Sequence, residues 1–255
     1  MLVEHVKRAP SDAGKMAGRL SFAARSTFRF MGRAMVKPFY AQQYAATGRK
    51  AKGGAAAILR MGPDLRAASE WWIEILKAKW SESRRLNTRT EVVELFCDAS
   101  STPPHVAAVL LKKGRLSYTD MPVPQELMDR LPIRKDKQIM ALEILAIALG
   151  LSTFHGEVAG AVLRIWTDNV GCELSIKRGS SKREDHNLLV HAIWLMCARK
   201  DLTIWLERVP TDDNISDCPS RQDYRLLQQL GAVWAEPKME KAFLEPDDWR
   251  NVALT

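Results

Sequence analysis

The spacing of apolar positions divides the chain into two stretches of different character. Up to about residue 85 apolar residues recur at helical intervals. Leu20, Phe22, Phe28, Phe30, Met31, Met35 and Phe39 fall among arginines, which predicts amphipathic structure with a basic face. A stretch holding Gly48, Gly53 and Gly54 among basic residues reads as a mobile loop. Pro63 and Asp64 suit the first turn of a helix. Its apolar positions, Leu65, Ala68, Trp71, Trp72, Ile75, Leu76 and Trp80, return about every 3.6 residues, and the tryptophan pair reads as a core anchor.

Near residue 90 the pattern changes to short β-rich runs alternating with helices. Val92–Cys97 reads as a strand, and His105–Leu111 and Leu116–Thr119 as two more, joined by the turn Lys112-Lys113-Gly114. Lys137–Phe154 is a long helix rich in Leu, Ile and Ala. Ala161–Thr167 predicts a fourth strand, followed by a short helix and an apolar one over Asp185–Arg199. Leu202–Val209 is the fifth strand, and a loop with Pro210 and Asn214 leads through Pro219 into a terminal helix ending at Leu230. Strands and helices in this order predict an α/β fold with mixed strand pairing. The expected organisation is a helical basic segment over 1–88, an α/β domain over 89–232 and a C-terminal tail over 233–255.

At 255 residues, 46% hydrophobic and 27% charged, the composition is that of an ordinary globular protein. No apolar run reads as approaching the ~20 residues of a membrane span, and the first thirty residues lack a signal-peptide core. These features predict a cytoplasmic or nuclear protein without membrane association. Cys97, Cys172, Cys197 and Cys218 are scattered, with no CxxC pair, which argues against zinc or a disulfide framework. Charge is uneven: residues 1–90 hold 18 Lys and Arg against 6 Asp and Glu, or +12, and residues 91–255 hold 20 against 24, or −4. A basic segment beside a mildly acidic one predicts a polyanion partner, nucleic acid, for the first and carboxylate chemistry for the second.

Four acids stand at telling places. Asp98 ends the first strand, Glu143 lies amid the apolar helix, Asp168 ends the fourth strand and Asp217 follows the last. A carboxylate in an apolar element requires a cation, a metal or hydrogen bonds, and carboxylates gathered at one sheet edge suit Mg²⁺ or Mn²⁺. Each also has a plain reading. Asp98 and Asp168 could cap the following helices, Glu143 could meet a surface lysine, and Asp217 could be an N-cap or an Asx-turn residue.

Together the segments Phe96-Cys97-Asp98-Ala99-Ser100, Leu142-Glu143-Ile144-Leu145-Ala146, Thr167-Asp168-Asn169, and Glu207-Arg208-Val209-Pro210 with Asn214 to Arg221 form a pattern. Over about residues 91–230 it resembles the ribonuclease H domain of reverse transcriptases, nearest to DIRS-type retroelements and the related hepadnavirus polymerases. The resemblance implies a ribonuclease H-like α/β fold with a five-stranded mixed sheet flanked by helices. It implies hydrolysis of the RNA strand of RNA–DNA hybrids with two Mg²⁺ (or Mn²⁺) ions about 4 Å apart. Asp98 would bridge both ions, Glu143 and Asp168 would hold one and Asp217 the other. Ser100, Asn169, Asn214 and Arg221 are the implied substrate contacts, and the basic segment would follow duplex phosphates.

More weakly, Gly18–Phe22 with the arginine-rich stretch after it, and the Trp71-Trp72 helix, resemble thumb and connection segments. No aromatic-x-Asp-Asp hairpin of a polymerase palm occurs, so fingers and palm would lie upstream and this chain alone would not polymerise. The pattern departs from the family in places. No histidine precedes the last acid, Asp213 competes with Asp217 for the fourth position, and Ser101-Thr102-Pro103-Pro104-His105 replaces a Gly-containing turn, which predicts a distorted first hairpin. His186 and His191 read as structural. The Glu standing second among the acids separates the pattern from integrases. The remaining alternative is an inactive relic serving as a nucleic-acid-binding or structural module.

Overall fold

The computed structural model describes residues 10–28, 30–50, 61–78 and 91–244. The chain divides into two compact units, with the division between Arg85 and Leu86.

The first unit is helical. Helix α1 (Pro10–Ser26) buries Ala13, Ala17, Leu20 and Ala24, a stripe spaced by three and four residues. A single 3₁₀ turn (Ala34–Val36) leads into α2 (Lys37–Lys50), and α3 (Pro63–Lys77) follows with Pro63 at its first position. Trp72 is fully buried, with Phe28 5.9 Å and Trp71 5.1 Å away in edge-on geometry. Gly32 (φ +78°) passes so close that a β-carbon there would stand 2.5 Å from the Trp71 ring. The sequence pattern assigned too much to this core: Phe22 is 73% and Leu76 48% exposed, because each lies off its helix's buried stripe. Gly18–Phe22 is the middle of α1, and Gly48 lies in α2. The rest of the expected Gly-rich loop, and Trp80, fall outside the described residues.

The second unit is α/β. Strands β1 (Val92–Ser101), β2 (Pro104–Lys112) and β3 (Arg115–Pro122) form an antiparallel meander. After α4 (Gln125–Arg130) and α5 (Ile139–Val158), β4 (Val162–Thr167) pairs parallel to β1. Helices α6 (Val170–Arg178) and α7 (Glu184–Arg199) precede β5 (Thr203–Arg208), which is parallel to β4. The sheet order is β5-β4-β1-β2-β3, with a sixth strand, β6 (Val233–Trp234), beyond β3.

The sixth strand corrects the five-strand expectation. β6 (Val233–Trp234) pairs parallel to β3, with Ala235 N–H bonding Tyr118 O at 2.7 Å. Residues 233–244 are therefore part of the unit rather than a tail. Phe243, in α10 (Lys241–Leu244), is fully buried in the main core. Two exposed apolar residues make a strand too short for periodicity to register.

The β1–β2 hairpin is also more regular than expected. Pairing runs unbroken from Glu94↔Leu111 to Ser101↔Pro104, and Thr102-Pro103, joined by a cis peptide bond, forms the turn. The single terminal helix is in fact two, α8 (Asp217–Ser220) and α9 (Arg225–Gln229), separated where Gln222 takes a left-handed φ of +61°.

Helix α5 is buried almost throughout, as an all-round apolar helix must be. Contrary to the sequence reading, it is long and apolar enough to cross a membrane by length and composition, but it serves as the central core helix. It lies on β1 and β2 so closely that a β-carbon at Gly150 would stand 2.9 Å from Ala108 Cβ. None of the four cysteines is in a disulfide, and Cys97, Cys172 and Cys197 are buried.

Candidate metal centre

The pairing of β1 with β4 ends at Phe96↔Trp166. Asp98 and Asp168 each stand two residues beyond that last pair: Asp168 just past the end of β4, and Asp98 not at the end of its strand, as expected, but within β1, which runs on to Ser101 paired with β2 alone. This is the crevice where open α/β sheets bind ligands. Glu143, at the fifth position of α5, joins them: one carboxylate oxygen from each of Asp98, Glu143 and Asp168 lies within 4.8 Å of the others. Asp98 and Glu143 are each only 4% exposed.

Local structure fixes each acid. Asp98 Oδ2 accepts a hydrogen bond from the Ser220 hydroxyl. Asp168 Oδ2 accepts one from Thr211 Oγ1 at 2.7 Å. The Thr167 hydroxyl bonds the Glu143 carboxyl, yet Glu143 Oε2 is buried with no hydrogen-bond partner. Asp168 does not cap α6, because Asn169 does so, its Oδ1 accepting from Cys172 N–H at 3.0 Å.

Burial pushes the Asp98 carboxyl up to about 6, with the Asp168 and Asp217 charges adding to the shift and the Ser220 hydrogen bond opposing it. Glu143 is pushed well above the usual carboxylate range, first by burial and then by Asp98 and Asp168. Three acids crowded in a desolvated corner repel one another, and an orphaned buried oxygen lacks its partner. The donor set is entirely hard oxygen, so the triad can bind metal ions and fits a divalent cation of the Mg²⁺ class.

The remaining sequence candidates divide. An open cleft of about 630 Å³ above the triad is walled by Ser100, Asn169, Asp217, Ser220, Arg221 and Gln222, among others. Ser100, Asn169 and Arg221, the expected substrate contacts, therefore all line the cleft. Asp217 lines the cleft but is not among the three clustered carboxylates, and its Oδ1 accepts from Arg221 Nε at 2.9 Å. Asp213 lies on an exposed 3₁₀ turn and is not part of the cleft wall.

Asn214 is corrected. It is 3% exposed, its amide donates to Cys97 O at 3.2 Å, and its Oδ1 accepts from Ser216 Oγ at 2.7 Å. It anchors the last loop to β1 instead of facing the cleft. His186 and His191 are buried on α7, and neither lines the cleft.

Sequence reasoning missed Ser220, Thr211 and Gln222 as members of the site. Ser220 carried a signal, standing three residues after Asp217 on what proves to be one helical turn. Thr211 opens a single 3₁₀ turn and Gln222 lies in the break between α8 and α9, both too short for periodicity to mark a direction. No protein-family model matches the chain, and no curated protein matches it. What the fold and the site establish is an α/β unit with a six-stranded mixed sheet and a buried acidic triad able to bind metal ions.

Proposed function

We propose that the chain is a ribonuclease H-type nuclease that hydrolyses the RNA strand of RNA–DNA hybrids, as the C-terminal part of a retroelement reverse transcriptase. The observation that carries this reading is the convergence of Asp98, Glu143 and Asp168 within 4.8 Å, just beyond the last pair of β1 with β4. Those three acids come from the segments whose order resembles the ribonuclease H pattern.

Asp98, Glu143 and Asp168 would hold Mg²⁺ or Mn²⁺, with Asp217 at the cleft wall available for a second ion. A divalent ion bound there would neutralise phosphate charge and acidify water. The chain's own groups prepare that site. Ser220 and Thr211 each bond one oxygen of an aspartate and so orient the other. Arg221, 65% exposed on its side chain, can turn toward a phosphate while Asn169 and Ser100 border the strand path. The +12 charge of residues 1–90 would add sequence-independent, salt-sensitive affinity for the duplex.

The second reading, an inactive nucleic-acid-binding module, draws on the Asp217–Arg221 ion pair, which engages the fourth carboxylate. Comparing wild type with Asp98→Asn on a labelled hybrid in Mg²⁺ or Mn²⁺ separates the two. Metal-dependent cleavage that the substitution abolishes supports the nuclease. Equal binding by both proteins without cleavage supports the module, and absence of binding contradicts both.

A further inference from the structure

The sheet face opposite α5 is covered on one half and exposed on the other among the described residues. Along β1, Val93, Leu95 and Cys97 are buried on the α5 side, and Val92, Glu94 and Phe96 point the other way, as a pleated strand requires. Pairing carries that second face across β4 as Val162, Arg164 and Trp166, and across β5 as Thr203, Trp205 and Glu207. In the other direction it runs to Val109 and Tyr118, where the Tyr224 ring packs 5.8 Å from that of Tyr118. On the β4–β5 half Val92 is 49% and Trp205 60% exposed. A groove of about 310 Å³ there is lined by Val92, Val162, Arg164, Trp166, Trp205 and Glu207.

The polar groups of this half satisfy one another. Trp166 Nε1 donates to Glu94 Oε2 at 2.7 Å, and Arg164 Nη1 donates to Glu94 Oε1 at 3.2 Å, with the guanidinium 5.8 Å above the Trp166 ring. Trp205 Nε1 donates to Glu207 Oε1, and Lys177 Nζ stands 3.9 Å from Glu207 Oε2. Phe96 stacks on Trp166 with ring planes 14° apart. Each indole therefore has its N–H tied to a carboxylate, and each carboxylate has a cation beside it. The groove offers what is left, ring faces with a guanidinium among them. Covering it leaves neither indole nor carboxylate unpaired.

We propose that this groove is a stacking site for unpaired bases of a single-stranded nucleic acid, with Trp205 as its platform. The inference rests on the reading above that the chain acts on nucleic acid. Ring faces whose polar edges are already occupied select a planar aromatic ring without regard to base sequence. A duplex keeps its base faces inside the stack, so only a single strand can use them. The groove is also continuous with the metal centre, because Phe96 and Asp98 stand two residues apart on the same face of β1, roughly 7 Å. A strand leaving the acidic triad along this face runs onto Trp166 and then Trp205.

The test measures binding of the full chain to a short labelled single DNA strand and to an abasic strand of the same length and charge. Wild type should prefer the base-bearing strand by about tenfold. Trp205→Ala should lose that preference while its affinity for the abasic strand stays the same. Trp205→Phe, which keeps a ring, should retain most of it. Both variants should cleave a fully paired hybrid as wild type does. A wild type that treats the two strands alike, or a Trp205→Ala variant that keeps the preference, overturns the stacking site, and hybrid cleavage then leaves the nuclease reading standing. Self-association that Trp205→Ala abolishes, without any preference for bases, assigns the groove to a second copy of the chain and overturns the proposal. A wild type that binds neither strand and cleaves no hybrid overturns both readings.

Discussion

The Ser220 hydroxyl donates a hydrogen bond to Asp98 Oδ2 across 122 residues of sequence, joining the turn after the last long strand to the first strand of the sheet. Both residues are buried, at 1% and 4% exposure. The bond orients a carboxylate of the triad that can bind metal ions, so Ser220 would act as a positioning residue in the proposed site. Ser220→Ala should weaken Mn²⁺ binding, measured by calorimetry, and lower stability by about 1–2 kcal/mol. Ser220→Thr, which keeps the hydroxyl, should restore most of the metal affinity. Unchanged Mn²⁺ affinity in the alanine variant would remove this role.

The raised carboxyl of Asp98 makes metal-free stability depend on pH. Its folded-state pKa is about 6 against an ordinary 3.8, so the folded protein holds a proton that the unfolded chain has already released. Stability should therefore fall as pH rises from about 4 to about 6, by roughly 3 kcal/mol from this group, and then level off. Glu143, shifted in the same direction, extends the loss to higher pH. Urea denaturation at pH 4.5, 5.5 and 7 should show a steeper decline for wild type than for Asp98→Asn. Added Mg²⁺ should restore wild-type stability at pH 7 and not that of the variant.

Arg221 pairs with Asp217 at an exposed position, where such a bridge contributes little to folding. Arg221→Ala should shift the melting free energy by less than about 0.5 kcal/mol. Hybrid affinity should fall, and the slope of log affinity against log salt should lessen by about one, the mark of a lost phosphate contact. A variant that melts early but binds with an unchanged salt slope would show that the pair is structural.

Gly150 lets α5 lie against the sheet, with a β-carbon position 2.9 Å from both Ala108 Cβ and Leu95 Cδ2. Although alanine favours helix, Gly150→Ala should destabilise the second unit by about 1–3 kcal/mol through overpacking. Because α5 carries Glu143, the same change should weaken Mn²⁺ binding. Chemical denaturation and a metal titration of one protein sample check both effects.

Much of this architecture was legible in the residues, since long segments with one dominant period report their own structure. Leu65 through Ile75 and the all-apolar run around Glu143 are such segments, and Asp98 and Asp168 were visible because a carboxylate beside Leu-Phe-Cys or Ile-Trp-Thr is out of place, although β1 runs three residues past Asp98. What escaped notice depends on contacts between distant parts of the chain. Val233-Trp234 becomes a strand only because β3 offers an unpaired edge, and Asn214 turned from a presumed substrate contact into an anchor because Cys97 O lies within reach. Gln222, in the break between two short helices, and Thr211, at the start of a single 3₁₀ turn, take their direction from tertiary contacts. Asp217, expected with the other acids, lines the same cleft outside the clustered triad, its Oδ1 accepting from Arg221 Nε one turn later.

The most direct test of the central claim is strand-specific cleavage of a hybrid labelled separately on RNA and on DNA, with Mg²⁺ and with chelator. Wild type should cut only the RNA strand and only with metal, and Glu143→Gln should bind the hybrid while cutting neither strand. Cleavage that persists in chelator, or that Glu143→Gln leaves intact, would contradict the account. Failure of the wild-type protein to cut RNA would contradict it outright.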